Sequence, residues 1–354
     1  MADLFENPLG TCGFAFVEFT SDEPDKLGLL FEQMGFTAIA KHKHKDVIRY
    51  KQGKANFLLN RETTGQAGEF CAAHKGGANA MGFLMEDAVF AHKGALARGA
   101  TDMPDGLWTD ELPAVIGVGG SALYLMTESD MDAFYAREFT TFSGVDEGKN
   151  SLNFHYIDHL THNVFRGNME PLGKFYEDVF GFRQIRYFDI EGKLTGLISK
   201  AMTSPCGKIR IPINESMDDK SQIEEFLTDF NGEGIQHIAI ESSEIFGSVD
   251  GLIANGIELQ DTPDSYFSLI DERLPGHGEN VEELRKRRIL IDGAPTEGQG
   301  LLLQIFSKTV IGPVFFEFIQ RKGNDGFGEG NFQALFDSIE LDQIERGVIE
   351  DTVS

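Results

Sequence analysis

Phe175-Tyr176-Glu177-Asp178-Val179-Phe180-Gly181-Phe182 follows the pattern of the earlier Leu30-Phe31-Glu32-Gln33-Met34-Gly35-Phe36. Both read as the last turns of a helix: apolar side chains recur at helical spacing, and a Gly-Phe pair supplies the left-handed backbone that ends it. The flanks agree. A strand at 14–19 precedes the first copy, and strands at 47–51 and 56–59 follow it across the turn Gln52-Gly53-Lys54. A strand at 154–160 precedes the second copy, whose helix spans 169–179. A second likeness joins Gly77-Ala78-Asn79-Ala80-Met81-Gly82, with a helix at 87–98, to Gly234-Ile235-Gln236-His237-Ile238-Ala239, with a helix reaching Asn255-Gly256. Self-similarity of this kind shapes the whole fold. A strand–helix–strands module occurs twice in each half, and we expect domains at 1–150 and 151–354. Residues 128–150 read as a polar connection in which Phe134 to Phe142 can pack, and 261–294, punctuated by Pro and Gly, as long loops. Phe332, Leu335, Phe336 and Ile339 predict an amphipathic helix near the C-terminus.

Acidic residues outnumber Lys and Arg by 57 to 31, a formal charge of −26. That field repels nucleic acid and anionic membrane surfaces, leaving a small molecule or a protein as partner. Arg285-Lys286-Arg287-Arg288 follows Glu279, Glu282 and Glu283 closely and reads as a salt-laced helix surface. Cys12, Cys71 and Cys206 are odd in number and lack C-x-x-C spacing, so neither a disulfide framework nor a thiolate zinc site is expected. The start Met1-Ala2-Asp3-Leu4-Phe5-Glu6 has no signal-peptide pattern, and no apolar run reaches the roughly 18 residues of a membrane span. A cytoplasmic protein is the expectation.

Chemistry enters at Gly312-Pro313-Val314-Phe315-Phe316-Glu317-Phe318-Ile319-Gln320-Arg321, an aromatic strand with one carboxylate in its middle. Alternation puts Phe315, Glu317 and Ile319 on one face, where a buried carboxylate requires a cation or donors opposite it. His159 and His237 lie mid-strand in the same half. A sheet that curls brings inward side chains of three strands to one point. Two imidazoles and a carboxylate match the facial triad of Fe(II) oxygen chemistry, and equally a catalytic zinc site. The repeat aligns His159 with Glu18 and His237 with Gly82, which assigns the site to the second half. His155 shares a face with His159 by alternation, and His162 falls past the strand end. His42, His44, His74, His92 and His277 read as solvated. Gly117-x-Gly119-Gly120 precedes a strand at 123–125 and reads as a turn rather than a phosphate cradle.

Five segments carry a resemblance: Ile157-Asp158-His159-Leu160-Thr161-His162-Asn163-Val164, Gly234-Ile235-Gln236-His237-Ile238-Ala239, Leu301-Leu302-Leu303-Gln304-Ile305-Phe306, Phe315-Phe316-Glu317-Phe318-Ile319-Gln320-Arg321 and Gly326-Phe327-Gly328-Glu329-Gly330-Asn331-Phe332. Together, over nearly the whole chain, the sequence resembles the bacterial 4-hydroxyphenylpyruvate dioxygenase family. The resemblance implies an α+β fold of two vicinal oxygen chelate domains, each an open barrel-like sheet of paired βαβββ modules, with a C-terminal lid helix. It implies Fe(II) on His159, His237 and Glu317, and conversion of 4-hydroxyphenylpyruvate and O2 to homogentisate and CO2 in tyrosine and phenylalanine breakdown. Asn214, Gln222 and Gln304 fall on polar substrate-orienting positions. Phe306, Phe315, Phe327 and Phe332 fall on the apolar walls, with Gln236 and Asn331 as further substrate contacts. A family serine position in the segment 194–197 is held by Gly196. A homo-oligomer is expected. A 4-hydroxymandelate synthase, an extradiol catechol dioxygenase, or a metal-free binding protein of the same fold are the alternatives.

Overall fold

The computed structural model describes residues 3–103, 112–191, 196–328, 330–332 and 347. Its strands fall into two eight-stranded sheets. The first is built from β1 (Thr11–Ser21), β2 (Thr37–His42), β3 (Val47–Gln52), β4 (Ala55–Asn60), β5 (Gly76–Met85), β6 (Ala114–Ile116), β7 (Ala122–Met126) and β8 (Phe139–Thr141), in the order β6-β7-β5-β1-β4-β3-β2-β8. The second contains β9 (Phe154–Val164), β10 (Arg183–Glu191), β11 (Gly196–Thr203), β12 (Arg210–Ser216), β13 (Gly234–Ser242), β14 (Leu290–Gly293), β15 (Leu301–Phe306) and β16 (Phe315–Lys322), ordered β10-β11-β12-β9-β13-β16-β15-β14. The repeated helices lie at Pro24–Gln33 and Met169–Phe180. The second stops at Gly181, whose φ of 73° is the left-handed cap that its Gly-Phe ending predicts.

Strand pairing shows the repeat residue by residue and corrects its sequence alignment. β1 runs antiparallel to β5 and parallel to β4, just as β9 runs antiparallel to β13 and parallel to β12. Thr20, Glu18 and Phe16 face Gly77, Ala80 and Gly82; Asn163, Thr161 and His159 face Gly234, His237 and Ala239. Each partner strand also skips one residue at the same place, Asn79 in β5 and Gln236 in β13. His159 therefore corresponds to Phe16 rather than Glu18, and His237 to Ala80 rather than Gly82. Glu317, opposite Ala239, corresponds to Tyr124, opposite Gly82. The bulge is common to both halves and leaves Gly77–Gly82 in step with Gly234–Ala239, so pairing His159 with Glu18 and His237 with Gly82 sets both strands two residues out of register.

Two stretches are more ordered than their polarity suggests. Residues 128–150 begin with the helix Glu128–Glu138, capped by Thr127 and Asp130, and continue into β8, which pairs with β2. Phe134, Tyr135 and Phe139 from this stretch pack with Phe16, Ala80 and Tyr124, so side chains fill the first sheet at the positions equivalent to the histidines and Glu317. Residues 261–294 hold the helices Asp264–Ser268, Ile270–Arg273 and Val281–Arg287 before β14, where long loops were expected. The basic run behaves as read: Arg287 pairs with Asp250 and Glu283, and Arg288 with Asp261 and Asp264. Gly117–Gly120 is a turn, as expected.

One apolar core joins the two sheets. Phe316, on the face of β16 opposite Glu317, lies 5.9 Å from Phe57 and 6.0 Å from Phe19, while Phe318 stacks on Phe154 at 5.0 Å. No described helix is long and apolar enough to cross a membrane. The helix expected through Leu335, Phe336 and Ile339 lies outside the described residues; Gly330, Asn331 and Phe332 are helical.

Candidate metal centre

Three neighbouring strands of the second sheet each deliver one side chain to a common point. His159 comes from β9, His237 from β13 and Glu317 from β16. One ligand atom from each lies within 4.8 Å of the others, and all three side chains are buried. His159 Nε2 is 3.0 Å and His237 Nε2 3.4 Å from Glu317 Oε2.

The inward aim of His159 depends on its neighbour. Ile157 pairs with Ile240 and His159 with Ala239, leaving Asp158 as an extra residue in β9. Such a bulge re-aims side chains. His155, expected on the same face as His159, is consequently exposed while His159 is buried. Asp158 is wholly buried, and its Oδ1 accepts from His159 Nδ1 at 3.0 Å. Arg321 grips the same carboxylate twice at 2.7 Å, and Arg210 approaches at 3.5 Å. Burial alone would raise the Asp158 carboxyl, but Arg321 and Arg210 hold it well below the usual range.

Each ligand has such a supporting contact, the arrangement that orients metal-binding side chains. His237 Nδ1 donates to Gln236 Oε1 at 3.2 Å, and its Nε2 accepts from Thr161 Oγ1 at 2.8 Å. Gln304 Nε2 donates to Glu317 Oε1 at 2.7 Å. Burial would raise the Glu317 carboxyl, yet the imidazoles of His159 and His237 bring it down to about 2. Burial would lower His159, but Glu317 and Asp158 raise it to about 9; His237 stays low because burial prevails. Without a cation, a proton on His159 balances the carboxylates. A divalent metal would replace it, so the donor set fits a metal ion.

Polar groups line the neighbouring strands. Asn163 follows Thr161 on β9, and Asn214 Nδ2 on β12 donates to its Oδ1 at 3.2 Å. Ser199 pairs across from Asn214. Asn163 Nδ2 and Ser199 Oγ are buried without a hydrogen-bond partner. A serine therefore stands beside Asn214. Gly196, the residue read at the family's serine position, lies three residues away at the start of β11 opposite Glu191. Without the strand register, nothing in the sequence singles out Ser199 over its neighbours.

Aromatic rings close the other side. Phe315 stacks on His237 at 4.8 Å, Phe306 meets it edge-on at 6.2 Å, and Phe327 lies 6.3 Å from His159. Phe332 packs against Phe188 at 4.8 Å. Asn331 Nδ2 donates to Gln304 Oε1 at 2.8 Å and its Oδ1 accepts from Tyr266 at 2.6 Å. Gln236 and Gln304 thus support ligands directly. Gln222 is half-buried at the first position of the helix Gln222–Phe230, and no described hydrogen bond joins it to the cluster.

Several histidines differ from expectation. His162 lies inside β9, fully buried and 2.9 Å from the Tyr176 hydroxyl, because the strand extends to Val164. His42 is buried, accepting backbone N–H groups of His44 and Lys45 at its Nδ1. His74 donates to the Phe230 carbonyl, His92 pairs with Asp102, and His277 with Asp271. Of the five read as solvated, only His44 is exposed.

A family profile described as hydroxyphenylpyruvate dioxygenase, N-terminal, matches residues 5–140, and one described as the glyoxalase/bleomycin resistance protein/dioxygenase superfamily matches 156–269. The chain is 53% identical over 350 residues to 4-hydroxyphenylpyruvate dioxygenase of Pseudomonas aeruginosa, covering 97% of each. It is 52% identical to hemolysin VllY of Vibrio vulnificus, covering 97% of this chain and 98% of that protein. A solved mutant of 4-hydroxymandelate synthase from Streptomyces coelicolor shares the fold at 22% identity, with a TM-score of 0.81 over 96% of this chain and 100% of that one. With such identity along its full length, a paired-module fold in both halves and a buried His-His-Glu cluster in the second, the chain belongs to the 4-hydroxyphenylpyruvate dioxygenase family.

Proposed function

We propose that this chain converts 4-hydroxyphenylpyruvate and O2 to homogentisate and CO2 with Fe(II) held by His159, His237 and Glu317. The observation that carries the reading is the buried cluster of these three side chains, set between unpaired polar groups and aromatic rings. Bound Fe(II) supplies open coordination positions for a 2-oxo acid and O2, and the redox chemistry of oxidative decarboxylation.

The protein's part is orientation and shielding. Asp158 and Gln236 take the Nδ1 protons of His159 and His237, which leaves both Nε2 atoms facing Glu317. Gln304 fixes the outer oxygen of Glu317, so its partner Oε2 faces the histidines. Phe306, Phe315 and Phe327 hold the substrate ring and exclude water from a reactive centre. Asn163, Asn214 and Ser199 meet the substrate's polar atoms; Gln222, Asn331 and Phe332 complete the enclosure in this reading.

The domain division at residue 150, a cytoplasmic location and a homo-oligomeric state belong to the same proposal. NMR of the product from 4-hydroxyphenylpyruvate, Fe(II) and O2 tests its centre. Homogentisate is expected; 4-hydroxymandelate, its isomer, would move the chain to the synthase reading, and no O2 uptake would favour a binding protein.

A further inference from the structure

The segment after β16 is tied to the metal cluster by two hydrogen-bonded chains that share no residue. The first passes from His159 Nδ1 to Asp158 Oδ1 at 3.0 Å and from Asp158 to the Arg321 guanidinium at 2.7 Å. Arg321 Nη1 then donates to the carbonyl of Asn324 at 3.0 Å and to that of Gly326 at 2.6 Å. The second links Glu317 through Gln304 to Asn331, with contacts of 2.7 and 2.8 Å. Between these two anchor points lies Phe327, 3% exposed, with its ring 6.3 Å from that of His159.

Arg321 is placed for this by its strand. It follows Glu317 by four residues on β16, so one element carries both a cluster carboxylate and the guanidinium that neutralises Asp158. Its planar fork grips the carboxylate in two places while the remaining donor reaches the turn, a geometry lysine cannot reproduce. A plain structural ion pair would fill the needs of buried Asp158. It would not require the same guanidinium to hold the backbone that seats Phe327.

We propose that Arg321 is a positioning residue that couples the His159 side of the metal centre to docking of Phe327. Metal occupancy and closure of the turn at 324–328 then favour one another. The inference rests on the metal-binding role of His159, His237 and Glu317 proposed above. Coupling of this kind is reciprocal: whatever factor the metal contributes to docking, docking returns to metal affinity.

Hydrogen exchange reads it directly, because the segment carries protected amides. Gly326 N donates to Asn324 Oδ1, and Asn331 N and Phe332 N donate to the Gly328 carbonyl. The full-length chain is compared with and without Fe(II) under anaerobic conditions, with metal binding titrated in parallel. We expect Fe(II) to slow exchange in residues 324–332 of the wild type about tenfold, and Arg321→Lys to lose most of that slowing and bind Fe(II) about tenfold more weakly. A structural role alone would shift exchange equally in both states and leave the metal-dependent difference intact. If the wild type binds Fe(II) and the segment does not respond, or if Arg321→Lys responds as the wild type does, the coupling is wrong while the metal site stands. If the wild type binds no Fe(II), the metal reading fails and this inference with it. Should Arg321→Lys fold poorly, the neutral pair Asp158→Asn/Arg321→Met serves: retained slowing on Fe(II) addition overturns the proposal, and its loss supports it.

Discussion

Asp158 is one residue too many in β9, and that surplus turns His159 inward while His155 faces solvent. The cluster it completes carries most of the residue-scale expectations. His237→Ala and Glu317→Ala each remain folded but lose bound metal and turnover, as metal analysis and O2 uptake on the same samples will show. Ser199→Ala removes a buried hydroxyl that has no partner in the protein and that the proposed function assigns to the substrate, so it should raise KM about five- to tenfold with kcat little changed, the effect of one hydrogen bond of about 1 kcal/mol. Steady-state kinetics separates the two constants. His162 provides a pH signature. Burial pushes its imidazole down to about 3, so below its ordinary value of about 6.5 the unfolded chain binds a proton that the folded chain refuses. Its contribution is whole above about 6.5 and is lost progressively as pH falls from there toward about 3. His162→Gln should make the urea midpoint fall less steeply between about pH 6.5 and pH 4.

At the scale of elements, hydrophobic period and glycine endings gave the helices 24–33 and 169–180 and the strands around them, because local chemistry alone fixes those features. The three cluster residues were also legible, since a histidine or glutamate in mid-strand breaks an apolar face. What stayed hidden depends on distant partners. The bulges at Asp158, Asn79 and Gln236 exist only relative to a neighbouring strand, and the cross-strand register fixes which residues of the two halves correspond. Ser199 owes its place to cross-strand register, and Arg321 owes its role to a turn beyond its own strand. The helix Glu128–Glu138 looked like a polar connection because its buried side consists only of Phe134 and Tyr135. Gly119 illustrates a constraint between elements. With φ at +59°, a Cβ there would meet the Glu233 carbonyl oxygen at 2.0 Å. Gly119→Ala should cost roughly 1–3 kcal/mol, seen as a lower Tm, with the Fe(II) content of the loaded chain unchanged.

Across the whole molecule, one fold serves two purposes. Both sheets repeat the same topology, yet Phe16, Ala80 and Tyr124 occupy in the first the places of His159, His237 and Glu317 in the second. The first sheet is filled by its own helix, while the second brings His159, His237 and Glu317 together at the equivalent place. The halves nevertheless share a core through Phe316, which meets Phe19, Phe31 and Phe57. Phe316→Ala should cost about 3–5 kcal/mol, and a loss of packing common to both halves should appear as one cooperative shift in thermal unfolding. Among the described residues the His-His-Glu cluster lies in the second half alone, and a single metal site of that kind makes a stoichiometric demand. The decisive measurement is O2 consumed and homogentisate formed from 4-hydroxyphenylpyruvate by chain loaded anaerobically with Fe(II), beside the metal content of the same sample. One Fe(II) per chain, equal amounts of O2 consumed and homogentisate formed, and loss of all three in Glu317→Ala are predicted; unchanged turnover in Glu317→Ala, or metal binding without O2 uptake, would contradict the assignment.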